Sequence, residues 1–250
     1  MATLILSPHF DDAVLSCWHL LDGGTEVGVV NVFGGVPLAD TGGWWDLASG
    51  MHSSSGVMER RRSEDEEALA LAGREAISLD FLDFQYRERP QAIEPVVERL
   101  RALLAAETSL WAPAALAPPP DYPDLIGAAL RPHPDHVVVR SAALALHAEG
   151  CSVMLYADLP HASASGLPAW VTGHPDGTGP AVAESWRRGL AEAGVDDANS
   201  KVRRLSGPAF ARKLEAVRRY SSQLAPLELG FGQPIEAPGL LDHEVVWRLR

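Results

Sequence analysis

The sequence predicts an α/β fold, one mostly parallel sheet with helices on both faces. Three observations predict it. Short apolar runs alternate with segments of helical period through the first ~150 residues. The run Glu26–Phe33 is apolar and β-branched almost throughout, as a strand covered on both faces should be. Finally, 250 residues with 46% hydrophobic content suit one sizeable domain over 1–250 better than two small ones.

The elements follow in order. Leu4 to Ser7 reads as a short buried strand. Asp12 to Leu21 carries Val14, Leu15, Trp18 and Leu21 at helical spacing, and Gly23-Gly24 stops it. Glu26–Phe33 is the second strand, and a Gly/Ser-rich loop with Trp44 and Trp45 runs from Gly34 to Gly56. Met58–Ala72 is a charged amphipathic helix, Ile77–Leu82 a third strand, Ile93–Ala106 a helix and Ser109–Ala112 a fourth strand. A proline-rich loop, Pro113–Pro132, contains Pro118-Pro119-Pro120 and Asp121-Tyr122-Pro123. Pro134–Ala148 is a helix with proline in its first turn, where a missing N–H costs little. Val153–Asp158 is the fifth strand. Residues 159–200 form a loop-rich, irregular segment with one helix at Ala181–Ala193. Lys201–Leu205, Pro208–Ser222 and Val245–Leu249 read as strand, helix and strand.

Composition narrows the function. The net charge is −12, and the dense basic runs Arg60-Arg61-Arg62 and Arg187-Arg188 read as solvated helix faces, so a nucleic-acid partner is not expected. No stretch of roughly 18 apolar residues exists, and the first apolar run is too short for a signal-peptide core, which points to the cytoplasm and away from membranes. The two cysteines, Cys17 and Cys151, sit in apolar surroundings as free thiols. A homo-oligomer is compatible with all of this.

Chemistry concentrates in two clusters, Pro8-His9-Phe10-Asp11-Asp12 and His133-Pro134-Asp135-His136. Each follows a predicted strand and opens a predicted helix, at the strand ends where open α/β sheets bind ligands. Imidazole and carboxylate are the donors that hold zinc or a similar ion. Brought together, His9, Asp12 and His136 make a three-ligand site with an open position, which leaves Asp11 to take a proton from water. In the second cluster one histidine can ligate while the other stays free as proton donor or oxyanion partner, and Asp135 can fix an imidazole tautomer. Read singly, Asp11 or Asp12 could instead cap a helix, and the second cluster could be a turn. His174-Pro175-Asp176 reads as a turn, and His19, His52, His147 and His243 as surface or packing residues.

On these residues the chain resembles the PIG-L / LmbE-like family of metal-dependent N-deacetylases. The first family motif is matched by Pro8-His9-Phe10-Asp11-Asp12, with Phe10 in place of the usual proline, and the second, His-Pro-Asp-His, is matched in full at 133–136. Arg61-x-x-Glu64-x-x-x-Ala68, Tyr156-Ala-Asp158-Leu-Pro160 and Lys213 through Tyr220-Ser-Ser-Gln223 are similar to further family segments. The resemblance implies a Rossmann-like fold and one Zn2+, with Fe2+ or another divalent ion as the alternative. It implies His9, Asp12 and His136 as ligands and Asp11 as general base. His133 would stabilise the oxyanion or protonate the leaving amine, with Asp135 as its supporting carboxylate. The implied substrate is a small N-acyl amino sugar of GlcNAc type in a conjugate or natural product, from which acetate is lost.

Five more residues are candidate substrate contacts. Phe10 puts a ring near the mouth of the site, Trp44 and Trp45 are placed to stack on a sugar or to cover the core, and His161 follows Pro160 at the rim. Arg61 reads as either an ion pair with Glu64 or a substrate contact. Phe10 and the tryptophans keep open an amidase or deacylase for a non-sugar amine, and a non-catalytic sugar- or metal-binding homologue is the other alternative.

Overall fold

Apolar, β-branched runs become parallel strands here because helices cover both of their faces. The computed structural model describes residues 2–24, 26–105, 107–116, 132–163, 166–173, 180–231 and 234–249. Strand β1 (Thr3–Ser7) is central, flanked by β2 (Val27–Asn31) and β4 (Ser109–Pro113). β3 (Ala76–Ser78) lies beyond β2, and β5 (Ser152–Tyr156) beyond β4, all parallel. Two antiparallel strands, β6 (Ser200–Arg204) and β7 (His243–Arg248), complete a seven-stranded sheet of order 3-2-1-4-5-7-6. Leu4 faces Gly28 on one side and Leu110 on the other. Ile5, Leu6, Val29, Val30, Leu110 and Leu155 are buried in the centre of the core.

The helices are α1 (Asp12–Leu21), α2 (Trp44–Ala48), α3 (Ser54–Ala70), α4 (Ile93–Arg101), α5 (Pro134–Ala148), α6 (Ala169–Thr172), α7 (Pro180–Glu192), α8 (Gly207–Val217) and α9 (Ser221–Phe231). The connection β1–α1–β2 steps toward one edge of the sheet and β4–α5–β5 toward the other. Right-handed crossovers of opposite direction put their helices on opposite faces. α1 packs with α3 and α8, while α4 packs with α5. The chain order therefore reverses between β1 and β4, and the crevice outside their carboxyl ends is the place for a ligand.

The α/β reading holds, with local corrections. The third strand is shorter than Ile77–Leu82: after Ser78 the chain turns, Phe33 and Asp80 form an antiparallel bridge, and the Gly35 N–H donates to Phe81 O. A Cβ on Gly35 would stand 2.4 Å from the Asp80 carbonyl oxygen, so only glycine permits that approach. α3 starts at Ser54, ahead of Met58, because Ser53 caps it by accepting from the Gly56 N–H at 3.3 Å. The Gly/Ser loop contains α2, and α9 follows α8 although Pro226 lies inside it. The segment 159–200 is irregular but anchored. Trp170 and Trp186 meet Trp247 of β7 edge-on, with centroids 5.5 to 6.3 Å apart, and Trp186 Nε1 donates to Ala162 O. Pro118-Pro119-Pro120, Asp121-Tyr122-Pro123 and His174-Pro175-Asp176 lie outside the described residues.

α1 is broken at Cys17, whose φ of −131° and ψ of 27° are not helical. The freed N–H groups of Trp18 and His19 donate to the buried carboxylate of Glu244 at 2.8 and 2.9 Å. Lys213 Nζ, also fully buried, compensates that charge at 2.6 Å. Both cysteines are free thiols. Among the described residues no helix is long and apolar enough to cross a membrane.

A candidate metal centre at the ends of β1 and β4

The turn after β1 is fixed by its own side chains. Ser7 Oγ donates to His9 O at 2.5 Å and accepts from the Ala13 N–H at 3.0 Å. The His9 N–H donates to Asp12 Oδ2 at 2.8 Å. Asp11 occupies the N-cap position of α1, yet its side chain makes no capping bond. Its carboxylate instead faces the Arg61 guanidinium at 3.9 Å. In the second cluster His133 caps α5, its Nδ1 accepting from the Asp135 N–H at 3.3 Å, and Pro134 takes the first helical position.

The two clusters converge. The rings of His9, His133 and His136 lie with centroids 4.8 to 5.4 Å apart, and each offers a nitrogen within 4.8 Å of the others. Asp12 Oδ2 is 3.3 Å from His9 Nδ1 and 3.4 Å from His136 Nε2. Bonds of about 2.0–2.1 Å to a tetrahedral ion put its ligand atoms about 3.3 Å apart, so these two separations fit. His136 Nε2 is buried with no hydrogen-bond partner, an arrangement that a bound cation would satisfy. A second grouping, His9 with Asp83 and Asp135, is less suited to an ion, because Arg61 and Arg87 already neutralise its two carboxylates.

Carboxylates orient the imidazoles. Asp158 Oδ2 meets His136 Nδ1 at 3.0 Å while its other oxygen accepts from the Leu116 N–H, the carboxylate–histidine arrangement typical of metal ligands. Asp135 also holds an imidazole, but that of His9: Oδ2 lies 3.1 Å from His9 Nε2 and accepts from the Phe84 N–H, and Oδ1 takes Arg87. The expected pairing of Asp135 with His133 is corrected in this respect. His133 stands at the cap, outside the helix, whereas Asp135 is buried inside the first turn and points beneath His9.

The field of the site favours positive charge at its centre. Burial by itself would lower the pKa of His9, but Asp12 and Asp135 outweigh it and raise it to about 9. His136 is likewise raised, Asp12 overriding burial, and Asp12 is held well below its usual range by His136 and His9 despite burial. His133 goes the other way, lowered by burial and by the neighbouring His9 and His136. Burial and Asp12 push Asp11 up, and Arg61 pulls it back.

The remaining candidates separate. His161 joins the cluster, its ring 5.2 Å from His136 and 6.1 Å from His133, and burial pushes its pKa down to about 4. Phe10 is not at the mouth: its ring is buried with Met58 and Tyr86, because the turn directs it inward against α3. Arg61 pairs with Asp83 and Asp11 rather than with Glu64. Glu64 instead takes Arg60, Ser221 and Ser222. Trp45 is half-buried, its Nε1 donating to Gln223 at 2.6 Å. Trp44 heads α2, and its side chain lies outside the described residues. Asp83, Arg87 and Asp158 were not read from the sequence as site residues. Asp158 had a signal, since it lies two residues past the end of β5; Asp83 and Arg87 flank a short 3₁₀ turn that no periodicity announces.

Residues 4–147 match the family model described as PIG-L: GlcNAc-PI de-N-acetylase. A curated relative, the 2'-N-acetylparomamine deacetylase of Niallia circulans, is 35% identical over an alignment of 106 residues, and the match covers 35% of this chain and 38% of that protein. The match thus spans well under half of the relative's length. Among solved structures, a deacetylase of teicoplanin biosynthesis is similar with a TM-score of 0.68 at 24% identity, covering 99% of this chain and 97% of its own. It is also known in a zinc-inhibited form. The A40926 pseudoaglycone deacetylase Dbv21 is similar with a TM-score of 0.64 at 25% identity, covering 99% and 96%.

Proposed function

The chain belongs to the PIG-L family of GlcNAc-PI de-N-acetylases, and from that premise we propose that it removes the acetyl group from an N-acetylamino sugar of GlcNAc type in a conjugate or natural-product intermediate. The observation that carries the reading is the convergence of His9, Asp12 and His136 on one point, with Asp12 Oδ2 3.3 and 3.4 Å from the two imidazoles. These three would hold a divalent ion, Zn2+ before Fe2+. When bound, such an ion lowers the pKa of a coordinated water toward ~7 and polarises the acyl carbonyl.

The chain's own groups supply the rest. Asp11, free of any capping bond, accepts the proton of the attacking water and passes it to the leaving nitrogen as the C–N bond breaks, giving acetate and the free amine. His133 serves as oxyanion partner rather than acid. Its Nδ1 accepts from the Asp135 N–H, which puts the ring hydrogen on Nε2, where it can donate to the developing negative charge. Asp135 holds His9, Asp158 holds His136, and His161 walls the site beside both His133 and His136.

The relatives named as deacetylases of paromamine, teicoplanin and A40926 substrates support a sugar-bearing natural product. Phe10 is buried and Trp45 is tied to Gln223, so neither of these two rings supports the alternative of a non-sugar amine. A cytoplasmic setting accords with the two free thiols. The test is acetate release from 2'-N-acetylparomamine and from N-acetylglucosaminyl conjugates. Activity should vanish with chelator, return with Zn2+ or Fe2+, and fall ~100-fold or more in Asp11→Asn. Turnover that survives both metal removal and that substitution would sink the mechanism, and tight sugar binding without product would favour the non-catalytic homologue.

A further inference from the structure

Phe10 links the proposed ligand His9 to the proposed base Asp11, and its backbone is held from behind. The Tyr220 hydroxyl lies 3.2 Å from the Phe10 carbonyl oxygen and 2.7 Å from Asp65 Oδ1. Asp65 Oδ2 accepts from Asn31 Nδ2 at 2.6 Å. The three side chains come from the α8–α9 turn, α3 and the end of β2, and all are fully buried. A hydroxyl has one hydrogen, and here it faces two acceptors. Each contact is a full two-centre hydrogen bond only if Asp65 supplies a second hydrogen. A chain then runs in one direction: Asn31 N–H to Asp65 Oδ2, Asp65 Oδ1–H to Tyr220, and Tyr220 O–H to Phe10 O.

We propose that Asp65 is kept as a neutral carboxyl so that Tyr220 can hold the Phe10 carbonyl, making Asp65 and Tyr220 positioning residues for the turn that carries His9, Asp11 and Asp12. The surroundings agree. Burial is the main cause that lifts the Asp65 pKa to about 7, and nearby Asp11 and Glu66 add to it, against the hydrogen bonds from Tyr220 and Asn31. The ionisable groups facing Asp65 are thus Tyr220 from the α8–α9 turn, Asp11 from the β1–α1 turn and Glu66 of α3. Once Asp65 ionises, it draws the Tyr220 hydrogen to itself and the Phe10 carbonyl loses its donor.

The sign of the pH effect follows. The carboxyl has a pKa of about 3.9 in the unfolded chain and about 7 in the fold. Between these values the unfolded chain binds fewer protons, so stability falls as pH rises and levels off above about 7. Asn at this position reproduces the neutral pattern at every pH. The expected result is that the Tm advantage of Asp65→Asn over the wild type grows from about pH 5 to about pH 7 and is constant beyond. A Tm difference that does not change over that range overturns the neutral carboxyl. The second arm is Zn2+ binding by chelator competition at about pH 6. Tyr220→Phe should weaken it about tenfold, while Asp65→Asn stays within about threefold of the wild type. Wild-type affinity in Tyr220→Phe overturns the positioning role, and if that variant fails to fold, the same affinity in Asp65→Ala does so. The proposal rests on the deacetylase reading only for why this turn matters, and neither arm needs turnover, so the two can fail separately.

Discussion

His136 is the residue on which the site turns. It is fully buried, one nitrogen is held by Asp158, and the other aims at Asp12 without a hydrogen-bond donor of its own. A neutral imidazole whose tautomer is fixed by a carboxylate is a better metal ligand than a free one. Asp158→Ala is therefore expected to weaken metal binding about 10–100-fold, read by chelator competition, while metal-saturated enzyme keeps a larger share of its activity. An unchanged affinity would mean that Asp158 only packs. The convergence of the two clusters was legible because His and Asp recur at the ends of two predicted strands. The partners were less so: Asp83 and Arg87 approach the site through a 3₁₀ turn, and which imidazole Asp135 would hold depended on how the first turn of α5 is rotated.

At the scale of elements, α1 shows how a buried charge can finish a broken helix. Glu244 receives Trp18 N–H, His19 N–H, the His19 ring and Lys213. Burial would raise its pKa, but Lys213 and His19 outweigh this and hold it below the usual range. A depressed carboxylate contributes stability above its unfolded pKa and loses it as pH falls through the folded value, so this tie weakens only in acid below about 4.5. Lys213→Met strands the carboxylate without its cation and should cost about 3–5 kcal/mol, a fall in Tm of about 10 °C by calorimetry. Lys213→Met with Glu244→Gln should lose less, since no charge is left unpaired. Equal losses would show that packing, not charge, matters at this site. The family-like run from Lys213 to Gln223 is thus mostly scaffold: Lys213 serves α1, Tyr220 the β1–α1 turn and Gln223 Trp45.

For the whole molecule, the order 3-2-1-4-5-7-6 sets the site where the chain reverses its direction of travel across the sheet. The proposed ligands from the β1–α1 turn and α5 meet there, with Asp158 after β5 behind His136, and an ion held by them would tie the two clusters together. Metal at a thousandfold excess over Kd should stabilise by about 4 kcal/mol, raising Tm by about 10 °C over chelated protein. The measurement is a thermal scan with EDTA and with Zn2+. A Tm indifferent to both would remove the metal centre whatever the activity.

The sequence by itself determined the strand and helix alternation, the burial of the central strands and the pair of His/Asp clusters at strand ends. Each of these is written in residues close together in the chain, as periodicity, composition or spacing. The tertiary structure alone decided the inward turn of Phe10, the pairing of Arg61 with Asp83 instead of Glu64, the seat of Asp135 under His9, and the buried Asp65–Tyr220 and Lys213–Glu244 pairs. Most of these partners are separated by tens to hundreds of positions. Their choice depends on which atoms need a counter-charge or a hydrogen once water has been excluded, and that is settled only when the layers close.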